Sequence, residues 1–177
     1  MSAEKLINYL LNENPKYSKV RIPTSENEQF RLYRSLVNIR LPSVISEEYL
    51  AAEDEYLRQK TAEKGITDIA DLSPVEDNIY LWRGDITTLK CGAAVNAANS
   101  GMTGCYQSCL KIAVQNGIDS IAFCCISTGV FGFPKQEAAE IAVYTVRDFL
   151  KSNGIKVIFN VFGSEDYDIY RKILGKN

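Results

Sequence analysis

Four segments in the second half of the chain carry the residues best suited to bind a ligand. They are GDIT (84–87), NAANSG (96–101), STGVFGFP (127–134) and VFGSEDY (161–167). The third is the most specific, because its glycines, Gly129 and Gly132, let successive backbone N–H groups converge just before a helix start. This arrangement predicts a site for a phosphate or diphosphate group.

Aromatic and acidic side chains in these segments could bind the rest of a nucleotide. Phe131, between the two glycines, could cover a sugar, and Phe162 could stack on a base, worth roughly 1 kcal/mol. Asp85 could accept a hydrogen bond from an amino group such as the exocyclic one of adenine. Each piece alone also has a common structural interpretation, as a core aromatic, a turn or a cap. Their coincidence at adjacent strand ends favours a ligand site.

The elements that must position these segments are strands alternating with helices. Short apolar runs predict strands at 78–87, 93–99, 120–127 and 155–163. Helical patterns follow the last three of them, at 105–117, 134–154 and 164–175, the last with Ser164 as its N-cap. This alternation predicts a three-layer α/β/α domain with a mostly parallel sheet, whose strand ends gather at one edge.

Residues 1–77 have helical signals and no catalytic pattern. Ser25 with Glu28 three residues later forms a capping-box pattern, and a second helical segment runs from Ser46 to Gly65. A polar stretch with a proline lies at 73–78. We therefore predict an N-terminal helical extension over 1–77 and a second domain over 78–177.

Composition excludes several classes of protein. The net charge of −2 and pI near 5.3 argue against a nucleic-acid or anionic-membrane surface, and no apolar run reaches the roughly 18 residues of a membrane span. Without a signal-peptide cleavage pattern, we expect a cytoplasmic protein. The five cysteines fit a reducing compartment. Because the chain has no histidine and no C-x-x-C pair, an intact zinc site is not expected.

The four segments together resemble the macrodomain, the family that binds ADP-ribose, over most of residues 78–175. The N-terminal helices, with YLWRGDIT and AFCCISTG, resemble more narrowly the bacterial zinc-containing macrodomains, which remove ADP-ribose from modified proteins. By motif, the resemblance implies that ADP-ribose contacts Asp85, Ile86, Asn99, Ser127, Thr128, Gly129, Val130, Phe131, Gly132 and Phe162.

The same resemblance assigns roles within this set. Asp85 and Ile86 would contact adenine and Phe162 would stack on it. Residues 127–132 would wrap the diphosphate, with Phe131 also lying against the distal ribose. Asn99 would lie beside the distal ribose, as the one catalytic candidate.

The chain departs from the family after the NAANS segment. There the family has a loop whose Cys and His residues bind zinc, then a helix and a further strand, before the helix that matches CYQSCL. Cys105 matches the first zinc ligand, the later ligands have no counterpart, and Cys109 belongs by pattern to the later helix. Gly92 also stands where the family commonly has Asp. We infer an internal deletion joined at Cys105-Tyr106, either natural or an artefact of the gene sequence.

The deletion bears on both stability and activity. It should leave the 93–99 strand as a less protected sheet edge. It should also remove catalytic groups and zinc while sparing the adenine and diphosphate segments. The sequence thus favours a macrodomain that binds ADP-ribose or an ADP-ribosylated protein, with hydrolysis weakened or lost. One alternative is an active hydrolase whose zinc or catalytic groups come from elsewhere. The other is an inactive structural or protein-interaction remnant.

Overall fold

The structure, a computed structural model, describes residues 3–95, 102–126 and 133–175. It divides into two compact units, Met1–Gly65 and Ile66–Asn177. The division comes earlier than the sequence-based boundary at 77/78, because residues 66–77 group with the second unit. Within that unit Thr67–Asp68 (β1) pairs with Leu89–Lys90.

The N-terminal unit contains three α-helices around one core. They are α1 (Glu4–Asn12), α2 (Glu26–Ile39) and α3 (Glu47–Lys64), with a 3₁₀ turn at Pro15–Tyr17. Helix α3 is capped as its sequence predicts, since the Ser46 hydroxyl accepts from the Tyr49 N–H at 3.2 Å. Helix α2 begins after Ser25, but the side chain of Ser25 makes no capping hydrogen bond. Apolar and tyrosine side chains form the core: Leu6, Ile7, Leu10, Tyr33, Leu36, Tyr49 and Tyr56.

The second unit is built on a four-stranded parallel sheet. Its strands are β2 (Ile79–Arg83), β4 (Ala93–Val95), β5 (Ser120–Phe123) and β6 (Lys156–Val161), in the order β2-β6-β5-β4. β3 (Leu89–Lys90) forms the separate two-stranded sheet with β1. The helices are α4 (Met102–Gln115), α5 (Lys135–Leu150) and α6 (Ser164–Leu174). The predicted α/β class and mostly parallel sheet are confirmed.

Several boundaries differ from the sequence-based expectations; for example, the strand predicted at 120–127 ends at Phe123. The first predicted strand, 78–87, ends at Arg83, because Asp85 caps a 3₁₀ helix at Ile86–Thr88. Ser164 is the first residue of α6 rather than its cap; Gly163 is the N-cap residue and makes no side-chain cap. Helix α4 begins three residues before Cys105 and runs without interruption through Cys105-Tyr106, the predicted point of the deletion.

The three helices that the structure describes in the second unit pack on one face of the sheet. The two crossovers, β4-α4-β5 and β5-α5-β6, step in the same direction, and right-handed crossovers in one direction put their helices on one side. Alternate strand residues face this layer, namely Ile79, Ile121, Phe123, Val157, Phe159 and Val161. This face holds the larger core of the unit.

The opposite face is covered by the long connection from β2 to β4. These strands lie at opposite edges of the sheet, so residues 84–92 must cross it. Ile86, Leu89 and Cys91 of this connection pack with Tyr80, Ala122 and Ile158 of the strands, together with the 3₁₀ helix Ile69–Asp71. None of the α-helices described in this unit lies on this face, so within the unit the predicted α/β/α layering is found on one side of the sheet only. Among the described strands β4 pairs only with β5 and so forms one edge of the sheet. That the deletion leaves this edge less protected stays a prediction.

Candidate functional site

The carboxyl ends of the parallel strands meet at one edge, and β2 and β6 bring two predicted site segments together there. Arg83 pairs with Val161 as the last residues of the two strands. Neighbouring strands lie about 5 Å apart, so the turn that begins at Gly84 lies beside Phe162. Phe162 is 82% exposed, although it directly follows five consecutive buried residues. By strand register, an exposed aromatic residue therefore follows β6 beside the turn that leads into Asp85.

Hydrogen bonds hold the turn after β2 in one conformation. The Gly84 N–H donates to the Val161 carbonyl at 3.0 Å, and the Asn160 side-chain amide donates to the Gly84 carbonyl at 3.0 Å. The Asp85 Oδ1 accepts from the Thr87 N–H at 3.1 Å and from the Thr87 hydroxyl at 2.7 Å. Asp85 is thus a helix cap. Because a carboxylate can accept about four hydrogen bonds, capping is compatible with binding an amino group.

The same turn also packs against side chains on the sheet face that the β2–β4 connection covers. A Cβ on Gly84 would lie 2.5 Å from the Trp82 ring, so glycine is required for this close approach. Ile86 is half-buried and packs in the cluster that contains Trp82. The sequence-based reasoning missed Trp82 and Asn160. The available signal was an asparagine inside the otherwise apolar run VIFNVF.

The cysteines that follow β5 and the one in the middle of α4 are poor nucleophiles. Burial, reinforced by Asp166, raises the pKa of the Cys125 thiol to about 12. Burial and the neighbouring Cys105 thiol raise the pKa of Cys109, and burial raises the pKa of Cys124. Because the thiolate is the nucleophilic form, these three side chains stay protonated and inert near neutral pH.

The residues present do not fit the zinc of the related family. Cys105, the proposed remnant ligand, is only 7% exposed and packs in the main core. No group of three Cys, His, Asp or Glu side chains that could hold a metal ion occurs in the described part of the chain. The segments outside it, 1–2, 96–101, 127–132 and 176–177, contain none of these residue types. A structural zinc site usually needs four such ligands.

Asn99 and residues 127–132, the predicted ribose and diphosphate contacts, lie outside the described residues. The structure does describe the start of the helix that follows. Lys135, the first residue of α5, forms ion pairs with Glu165 at 2.6 Å and Asp166 at 3.3 Å, in the first turn of α6. These pairs tie together two helix N-termini beside the ends of β5 and β6, where an anion is favoured.

Gly92, which stands where the family commonly has Asp, has no room for a side chain. Its N–H donates to the Ser120 hydroxyl at 2.8 Å, and a Cβ would lie 2.9 Å from the Ser120 carbonyl oxygen. This close contact with the start of β5 explains why glycine suits the position here.

Among the described helices, none is long and apolar enough to cross a membrane.

Comparisons with known proteins agree with this architecture. A family model described as the Macro domain matches residues 90–142. The chain is 39% identical to a protein-ADP-ribose hydrolase of Treponema medium, with 96% of each covered. It is also 33% identical to a protein-ADP-ribose hydrolase of Staphylococcus aureus (strain Mu50), with 98% of this chain and 95% of that protein covered. The chain belongs to this macrodomain family.

Solved macrodomains share the fold. The Trypanosoma brucei macrodomain in complex with ADP superposes with a TM-score of 0.59 at 27% identity, over 63% of this chain and 77% of that one. The same protein in complex with ADP-ribose gives a TM-score of 0.61 at 24% identity, over 76% and 93%. The second likeness, below 25% identity, concerns the fold alone.

The alignment with the protein-ADP-ribose hydrolase of Treponema medium also bears on the proposed deletion. It runs over 251 positions, whereas this chain has 177 residues. At least 74 positions (251 minus 177) are therefore occupied by the relative alone, inside a stretch that covers 96% of both proteins. This macrodomain thus lacks an internal portion that its relative has. The junction at Cys105-Tyr106 is the location that the sequence motifs indicate.

Proposed function

We propose that this macrodomain binds ADP-ribose at the carboxyl edge of its sheet, with adenine held at the ends of β2 and β6. The observation that carries the proposal is the exposed ring of Phe162 beside the hydrogen-bonded Asp85–Ile86 turn. The ring offers a stacking surface, and the carboxylate offers an acceptor for the adenine amino group. The half-buried Ile86 side chain offers an apolar contact at the same end.

From adenine, the rest of the ligand would extend across the carboxyl ends of the next strands, β5 and β4. The diphosphate would bind residues 127–132, where a glycine-containing loop leads into α5. The distal ribose would reach Asn99, after β4. In this proposal, the order of the strands, β2-β6-β5-β4, matches the order of adenine, diphosphate and distal ribose along the ligand.

Hydrolysis of ADP-ribosyl bonds should be weak or absent. Cleavage needs an activated water and stabilisation of charge that develops at the distal ribose. The chain has no histidine, its described residues do not form a metal site, and Asn99 is an amide, which is no general base. An ADP-ribosylated protein would then be bound rather than processed. We also propose a cytoplasmic location and no nucleic-acid partner.

Calorimetric titration of the folded protein with ADP-ribose, and with AMP as comparison, tests the binding proposal. We expect micromolar affinity for ADP-ribose, about −8 kcal/mol, and weaker binding of AMP, which lacks the diphosphate. A Tyr144→Ala variant is the control, because it removes an exposed aromatic ring of α5 outside the site. Folded protein that ignores ADP-ribose would instead indicate a structural or protein-interaction remnant.

A turnover assay separates binding from catalysis. The substrate is a mono-ADP-ribosylated protein, incubated with and without added zinc, and released ADP-ribose is measured. We expect no release above that of a heat-denatured sample. Robust release with zinc would establish the alternative of an active hydrolase whose missing groups come from elsewhere.

A further inference from the structure

Asn160 is a buried amide on the smaller core face of the sheet. It is 6% exposed, and its neighbours on this face include the fully buried Ile158 of its own strand and Trp82, its pairing partner on β2. A buried amide is costly unless it is hydrogen-bonded, whereas an aliphatic side chain would pack here without that requirement. The side chain of Asn160 is hydrogen-bonded, and its partner is the Gly84 carbonyl.

The sheet itself does not need this bond. The Gly84 N–H already extends the ladder by donating to the Val161 carbonyl, so Asn160 adds a second restraint on the same residue. With both its N–H and its carbonyl held, Gly84 fixes the peptide plane that leads into Asp85. The buried amide therefore acts on the turn rather than on the strand pairing.

Asp85, the predicted adenine contact, directly follows Gly84 and is itself held by hydrogen bonds. The Asp85 carbonyl accepts from the N–H and the hydroxyl of Thr88, each at 2.8 Å, and its carboxylate accepts from Thr87. Each peptide group from Gly84 to Asp85 is thus held by hydrogen bonds. Asn160 provides a side-chain anchor from the neighbouring strand, β6, which Phe162 directly follows.

We propose that Asn160 is a positioning residue that sets the selectivity of the site for adenine. It would hold the Asp85 carboxylate in register with the Phe162 ring, so that a stacked base presents its amino group to the carboxylate. This inference rests on the proposed binding of ADP-ribose. A base with a 6-oxo group, such as hypoxanthine, would present an acceptor to an acceptor and would be disfavoured.

The test compares the affinities for ADP-ribose and for inosine diphosphate ribose, which differ at this group. For the unaltered protein we expect a preference for ADP-ribose of at least about fivefold, the value of one net hydrogen bond. In Asn160→Ala, and in Asn160→Asp, which keeps the shape but carries an acceptor, the preference should fall below about twofold. The matched control is Thr145→Val, which alters another buried polar side chain, bonded within α5 to Ile141. It should keep the preference.

Amide hydrogen exchange gives a readout that needs no ligand. The N–H groups of Thr87 and Thr88 should exchange several-fold faster in Asn160→Ala, because their acceptors belong to Asp85, whereas those of Ala122 and Ile158 in the core should be unchanged. A structural role would instead accelerate exchange throughout the sheet.

The outcomes separate this inference from the proposed function. If the unaltered protein does not bind ADP-ribose, both are overturned. If it binds with the expected preference and both variants at Asn160 keep that preference, only the positioning role is overturned. Failure of both variants to fold, with Thr145→Val folded, would assign Asn160 to structure and overturn the inference as well.

Discussion

A substitution of Phe162 should lower the affinity for ADP-ribose while leaving the free energy of unfolding nearly unchanged. The 82% exposure of its ring means that the folded protein gains little from it, so Phe162→Ala should change the free energy of unfolding by less than about 0.5 kcal/mol. If adenine stacks on the ring, the same change removes about 1–3 kcal/mol of binding energy. At 1.4 kcal/mol per factor of ten, the affinity for ADP-ribose should fall by about 5- to 140-fold.

The assay is calorimetric titration of ADP-ribose, paired with urea denaturation of the same samples. Tyr144→Ala is the matched control, because Tyr144 is 74% exposed on α5, outside the proposed site. It should leave both the affinity and the stability unchanged. The reasoning is refuted if Phe162→Ala keeps its affinity for ADP-ribose, or if it loses affinity only because it has lost stability.

Three predictions concern stability. Glu76→Gln leaves the half-buried Arg147 without the carboxylate that accepts its Nε–H at 2.9 Å. It should lower the free energy of unfolding, measured by urea denaturation, by about 1–2 kcal/mol. The control Asp148→Asn, which removes a carboxylate from an exposed ion pair, should lower it by less than about 0.5 kcal/mol. Stability should fall as pH rises from 9 towards 12, since the Cys125 thiol loses its proton near 9.0 when unfolded and only near pH 12 when folded; a flat urea midpoint from pH 8 to 11 would contradict this. Because β4 is an exposed edge among the described strands, the thermal midpoint should lie below that of the Treponema medium relative measured in the same buffer.

The order of elements could be predicted from the sequence, whereas the anchoring of the site could not. Continuous apolar runs such as VIFNVF specify buried parallel strands, and the strand–helix alternation then determines the topology. The end of β2 was placed four residues too late, because a strand pattern does not reveal that Asp85 caps a 3₁₀ helix.

The contacts that hold the site could not be predicted either, because they join residues that are far apart in the chain. Asn160 and Gly84 are 76 residues apart in the chain, and their hydrogen bond follows from strand register, which a single sequence does not display. Cys105 matched a zinc ligand by motif. Its burial, and the lack of a group of further metal ligands around it among the described residues, depend on how α4 packs.

The place of the predicted deletion, after β4, leads to a prediction about which part of ADP-ribose this chain still binds. The proposed adenine site lies at the ends of β2 and β6, on one side of the sheet, whereas β4 is the strand at the opposite side. In the sequence, Asn99 and the predicted junction at Cys105-Tyr106 follow β4. A segment lost beside β4 should therefore weaken contacts to the distal ribose and spare those to adenine. If so, ADP and ADP-ribose should bind this macrodomain with affinities within about threefold, because the distal ribose adds less than the roughly 1 kcal/mol of a net hydrogen bond. The same pair of titrations on the Treponema medium relative is the control and should favour ADP-ribose more strongly. A preference in this chain as large as in that relative would mean that the ribose end is intact, and the argument for weakened hydrolysis would lose its structural basis.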